Sequence, residues 1–73
     1  MNQGMLWFDD RKDVSVAQKI AAALKFYEQK YGSRPSCCYI HSDKGIDEAQ
    51  TDLGLRVEVS PYILPNHYLL EEN

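Results

Sequence analysis

Between Val14 and Tyr31 the chain has one obvious way to bury its apolar side chains. Val16, Ile20, Ala23, Leu24, Tyr27 and Tyr31 recur at spacings of three and four. A helix of 3.6 residues per turn gathers such positions into a single stripe. Phe26 lies at the edge of that stripe. Both ends are marked as well: Ser15 with Gln18 three positions on fits a capping box, with Asp13 as a rival cap. Gly32 adopts a left-handed terminating conformation without a Cβ penalty, and Pro35 keeps the helix from running on. A helix with one apolar stripe needs a second layer to cover it, so the rest of the chain has to supply that layer.

The remaining segments read mostly as strands. Met5 to Phe8 ("MLWF") is a short apolar run of strand formers between Gly4 and Asp9-Asp10, followed by a polar loop, "DDRKD". Ser36 to His41 reads as strand two, and "SDKG" after it is turn chemistry. Ile46, Ala49 and Leu53 give a short second helix ended by Gly54. Leu55 to Ser60 alternates apolar and polar, as a strand with one wet face does. Pro61 and Pro65 bracket an extended "SPYILP" segment that cannot sit in mid-sheet, and His67 to Leu70 forms a terminal fourth strand.

The order β-α-β-α-β-β predicts an α/β fold: a small two-layer domain with a mixed sheet and one long helix packed on one face. Residues 1–73 form a single domain on this reading, with residues 1–4 frayed at the start. Strands one and two are expected to be parallel neighbours joined by a right-handed crossover. The second sheet face is then partly open and available for docking.

Composition narrows the function. The chain has 73 residues, enough for one small domain with a thin core, and self-association is a common supplement at that size. Eight basic residues are scattered among eleven acidic ones, for a net charge of −3. That balance argues against nucleic acid, whose phosphates are bound by concentrated Lys and Arg. The stretch "MNQGMLWFDD" has neither the positive start nor the apolar run of a signal peptide. No apolar segment approaches the ~20 residues of a membrane helix. With two cysteines that form no disulfide framework, a cytoplasmic location is expected.

Those cysteines sit in "SCCYIHSD", the most chemically suggestive stretch of the chain. In a strand, successive side chains point to opposite faces, so Cys37, Tyr39 and His41 share one face while Cys38, Ile40 and Ser42 share the other. The twin thiols therefore diverge and are poorly placed to grip one metal ion. Cys37 and His41 lie four residues apart, about 13 Å along a strand rising ~3.3 Å per residue. A Cys–His catalytic pair needs about 3 Å. Structural zinc prefers paired ligands at spacings such as Cys-x2-Cys, which this chain lacks. Buried, unreactive cysteines are the expectation.

Two further groups of residues invite a functional reading. Asp9 and Asp10 end strand one, and His41 and Asp43 follow strand two. If those strands are neighbours, the four meet at one sheet edge, where α/β folds tend to bind ligands and where oxygen ligands suit Mg²⁺. The plainer reading is dipole-favoured acids before a helix, followed by an ordinary turn. The tail "SPYILPNHYLLEEN" carries Tyr62, Ile63, Leu64, Tyr68 and Leu70, a surplus of apolar groups that either packs within the monomer or forms an interface. Its strand, if left at an edge, offers pairing to a second copy.

The segments "KIAAALKFYEQKYGSRP" and "VEVSPYILPNHYLL" contain Tyr27, Tyr31, Gly32 and Pro35, then Pro65, Asn66, His67 and Tyr68. In these the chain resembles a group of short, uncharacterised bacterial proteins. In that group an amphipathic helix ending in Tyr-x3-Tyr/Phe-Gly-x2-Pro precedes a proline-flanked tail with a His-aromatic pair. The resemblance implies that the tail belongs to the fold, and it implies no activity.

The sequence thus points to a non-catalytic cytoplasmic protein-interaction module, partnered by another protein or by itself, with no cofactor, nucleic acid or membrane. The alternative is a small metal-dependent or phosphate-handling protein using Asp9, Asp10, His41 and Asp43. A thiol-based redox protein is a third reading.

Overall fold

The capping box at the start of the long helix forms as the sequence spells it. In the computed structural model, which describes residues 3–72, the Ser15 hydroxyl accepts from the Gln18 N–H at 3.1 Å. Gln18 Oε1 in turn accepts from the Ser15 N–H at 2.8 Å. Two donors at the helix start are satisfied reciprocally, and Asp13 is not the cap. The helix, α1 (Val16–Tyr31), ends at Gly32, whose N–H donates to the Glu28 carbonyl and whose φ of 72° turns the chain out of the helix. Ile20, Ala23, Leu24 and Tyr27 are buried along the expected stripe. Phe26 stays half exposed and stacks on Trp7, with ring centroids 4.7 Å apart.

The other elements follow the expected order: β1 (Gln3–Phe8) before α1, then β2 (Cys37–Ile40), α2 (Ile46–Leu53), β3 (Arg56–Val59) and β4 (His67–Glu72). The result is a small α/β domain with a mixed four-stranded sheet. One core cluster takes side chains from α1, from Ala49 of α2 and from β2, β3 and β4. Both helices therefore cover the same sheet face, and the long helix is joined there by a short one. Each large side chain fully buried in that layer contributes roughly 1.5–3 kcal/mol.

Strand order departs from expectation. The sheet runs β1-β4-β2-β3, so strands one and two point the same way but are not neighbours. β4 lies between them, antiparallel to both, with Trp7 opposite Tyr68 and Cys38 opposite Leu70. The reason is that Tyr68 and Leu70 alternate toward the helices, and a strand with two such anchors is best covered in mid-sheet. Only β2 and β3 are parallel neighbours. The tail is thus an interior strand, and β1 holds the edge.

Two local expectations also change. Gln3 and Gly4 belong to β1, paired with Glu72 and Glu71; fraying of residues 1 and 2 concerns positions outside the described residues. The "SPYILP" segment is a series of turns rather than extended chain. Its Ser60 N–H reaches the Ile40 carbonyl, and the Ile63 N–H turns back to the Ser60 carbonyl. Proline supplies no N–H to a ladder, and the Ser60 hydroxyl accepts from the Tyr62 N–H instead.

The sheet face away from the helices has no covering layer among the described residues. Residues opposite one another in the ladder share a face, which puts Leu6, Leu69, Tyr39 and Glu58 in one row across it. Phe8 stands in the next row, its ring 4.9 Å from that of His67.

Candidate functional site

Beyond the carboxyl ends of β1 and β2, the loop that enters α1 faces the loop that enters α2. They enclose a cleft of 790 Å³, within the range of small-ligand sites. Its walls hold four basic side chains, Arg11, Lys12, Lys19 and Lys44, against the carboxylates of Asp10 and Glu48. On a chain with a net charge of −3, this is a locally cationic place.

The acids expected to gather here are divided. Asp9 is buried and gripped by Arg11, whose Nε lies 3.0 Å from Oδ1 and whose Nη2 lies 2.7 Å from Oδ2. The Arg11 hydrogen bond holds the Asp9 carboxyl below its ordinary range, although burial pulls the other way. Asp10 lines the cleft and is exposed. His41 lines it too; its Nδ1 stands 2.9 Å from the Ile63 carbonyl, so that nitrogen carries the proton and donates. Asp43 is an exposed turn residue whose carbonyl accepts from the Ile46 N–H. Among the described residues, no three of His, Cys, Asp and Glu stand close enough to hold one metal ion.

Sequence reasoning missed Lys19. It is 8% exposed and lines the cleft, yet a lysine one position before Ile20 reads as the solvated side of a helix. A signal was present: Lys19 is four residues before the buried Ala23, hence on the same side of α1.

A second candidate surface is the outer edge of β1. The Asp9 N–H donates to the Asn66 carbonyl at 2.9 Å, continuing the β1–β4 ladder. Backbone groups alternate in direction along a strand, so Met5 and Trp7 also face β4, while those of Leu6 and Phe8 face outward. The Gly4 carbonyl on that outer side is taken by the Tyr31 hydroxyl at 2.9 Å. Leu6 and Phe8 are 61% and 56% exposed.

The residues expected at an interface separate by burial. Ile63, Tyr68 and Leu70 are buried within the chain, whereas Tyr62 and Leu64 are exposed on the turns before β4. Neither cysteine is in a disulfide and both are fully buried, on opposite sheet faces as the alternation requires. Burial, and then the neighbouring Cys37, push the Cys38 thiol up to about 12, far from the range of a reactive thiolate.

No helix among the described residues is long and apolar enough to cross a membrane. Comparison of the chain with protein-family models, with curated proteins and with solved structures finds no match.

Proposed function

We propose that this chain is a non-catalytic interaction module that associates with a second copy of itself by pairing β1 with β1. The observation that carries the proposal is the contrast between the two sheet edges. β3 has only four residues, includes charged Arg56 and Glu58, and runs into Pro61 within two residues. Those are the usual defences of an edge strand. β1 has six residues, "QGMLWF", with no charge and no proline. Apart from the Gly4 carbonyl, which the Tyr31 hydroxyl takes, the outward backbone groups of this edge are a template for another strand.

Side chains favour the same partner. Leu6 and Phe8 project from the bare face beside that edge, and Phe26 projects from the helix layer above it. A two-fold axis beside β1 sets the two strands antiparallel and brings the apolar groups of one copy against those of the other, as isologous dimers do. The joined sheet then has eight strands, and its only free edges are the two charged β3 strands. A thin core is supplemented in the way small domains commonly use. Two cysteines outside any disulfide suit a reducing, cytoplasmic setting.

Sedimentation equilibrium on the whole chain at micromolar concentration tests this reading. A dimer is expected, with Leu6→Lys shifting it to monomer while the far-UV circular dichroism stays the same. A chain that remains monomeric throughout the concentration range overturns the proposal.

A further inference from the structure

We infer that the cleft at the start of α1 binds the phosphate group of a small molecule, with Lys19 as the cation that meets it. A lysine whose stem is packed away carries its ammonium to a carboxylate, to oxygen acceptors or to open space. Lys19 is 8% exposed, and among the described residues its side chain makes no hydrogen bond or ion pair. Asp9 feels its charge, but both oxygens of that carboxylate are engaged by Arg11. Lys19 lines the cleft, which offers its ammonium open space.

The backbone supplies the rest of an anion site. At a helix start the first N–H groups lack intrahelical partners and carry the positive end of the dipole. In α1 the Gln18 N–H is capped by the Ser15 hydroxyl and the Lys19 N–H reaches the Ser15 carbonyl. Val16 and Ala17 come before them, and both line the cleft. Their amides together with a lysine ammonium are a recurrent arrangement for phosphate at a helix N-terminus. Lys12 and Lys44 stand on the same walls and add long-range attraction. At 790 Å³ the space exceeds the needs of a bare ion, so a phosphomonoester with a small organic body fits better than free phosphate. The carboxylates of Asp10 and Glu48 repel ligands that are anionic at both ends, which selects a single phosphate group.

The test is an amide NMR titration of the whole chain at fixed ionic strength, with inorganic phosphate and glycerol phosphate in separate arms and acetate as control. Saturable shifts are expected at Val16, Ala17 and Lys19, with the glycerol phosphate arm tighter. Equal affinity in the two phosphate arms upholds the site and assigns it to free phosphate. Lys19→Met, which keeps the buried stem, is expected to weaken binding at least tenfold, while Lys25→Met on the exposed side of α1 leaves it unchanged. Silence at the three amides, equal binding of acetate, or wild-type affinity in Lys19→Met each overturns the assignment. Should Lys19→Met lose its amide dispersion, Lys44→Gln replaces it, with at least a threefold loss expected and none contradicting the site.

Discussion

Arg11 holds Asp9 in a fork, with 3.0 Å from Nε to Oδ1 and 2.7 Å from Nη2 to Oδ2, and the Arg11 backbone N–H adds a third bond to Oδ1 at 3.1 Å. The pair ties down the loop between β1 and α1 and turns a buried carboxylate away from the cleft. A carboxyl held below its unfolded value of 3.8 contributes its full stability above that pH. It loses that contribution as the pH falls through the lower, folded value.

The first prediction follows from that sign. Thermal melts of the wild type and of Arg11→Gln, followed by circular dichroism, should differ most near neutral pH. The gap should narrow once the pH drops below about 3.8, where Asp9 takes up protons in the unfolded state before the folded one. A gap that is constant from neutral to strongly acid pH contradicts the assigned role of the pair.

Cys38 allows a chemical prediction. With its thiol pushed up to about 12, almost none is thiolate at pH 8, and both sulfurs are buried. Iodoacetamide should leave the native chain unlabelled over a period that labels both cysteines in guanidinium, read by intact mass. Cys38→Ser, which buries a hydroxyl in an apolar layer, should destabilise by about 1–3 kcal/mol. Rapid native labelling of either sulfur would revive the redox reading.

Trp7 has a buried Nε1 without a hydrogen-bond partner among the described residues. Leaving such a donor unpaired costs about 1–3 kcal/mol, so Trp7→Phe loses ring area but also removes that penalty. Urea unfolding should place Trp7→Phe within about 1 kcal/mol of wild type, since the two effects oppose each other. Trp7→Ala should lose about 2 kcal/mol or more.

Gly32 isolates a backbone effect. Its φ is 72°, and a Cβ added there meets nothing within 4 Å. The cost of Gly32→Ala is therefore conformational alone, about 1–2 kcal/mol. A neutral result in urea unfolding would mean that the left-handed cap is not needed to end α1.

These particulars also show how far the chain could be read before its structure. α1 was legible end to end because its signals are local: the stripe, the Ser15–Gln18 box and Gly32 lie within one stretch. Strand identities were legible for the same reason. Strand order was not, because the placement of β4 between β1 and β2 depends on which partners cover Tyr68 and Leu70 best, and that is a property of the whole sheet. The edge status of β1 was hidden with it. At the cleft, Asp10 and His41 were found by residue type. Lys19 was overlooked because a lysine beside an apolar stripe usually lies along the solvated side of a helix, and only the three-dimensional packing shows that most of this one is covered.

The outward amides of Leu6 and Phe8 report most directly on the pairing of β1 with a second copy. Hydrogen exchange resolved at single amides, recorded across a hundredfold range of protein concentration, should show both becoming protected as concentration rises. Met5 and Trp7, which face β4, should remain slow throughout. If Leu6 and Phe8 exchange freely at every concentration while the fold is intact, β1 has no partner strand and the account of this chain as a self-pairing module is wrong.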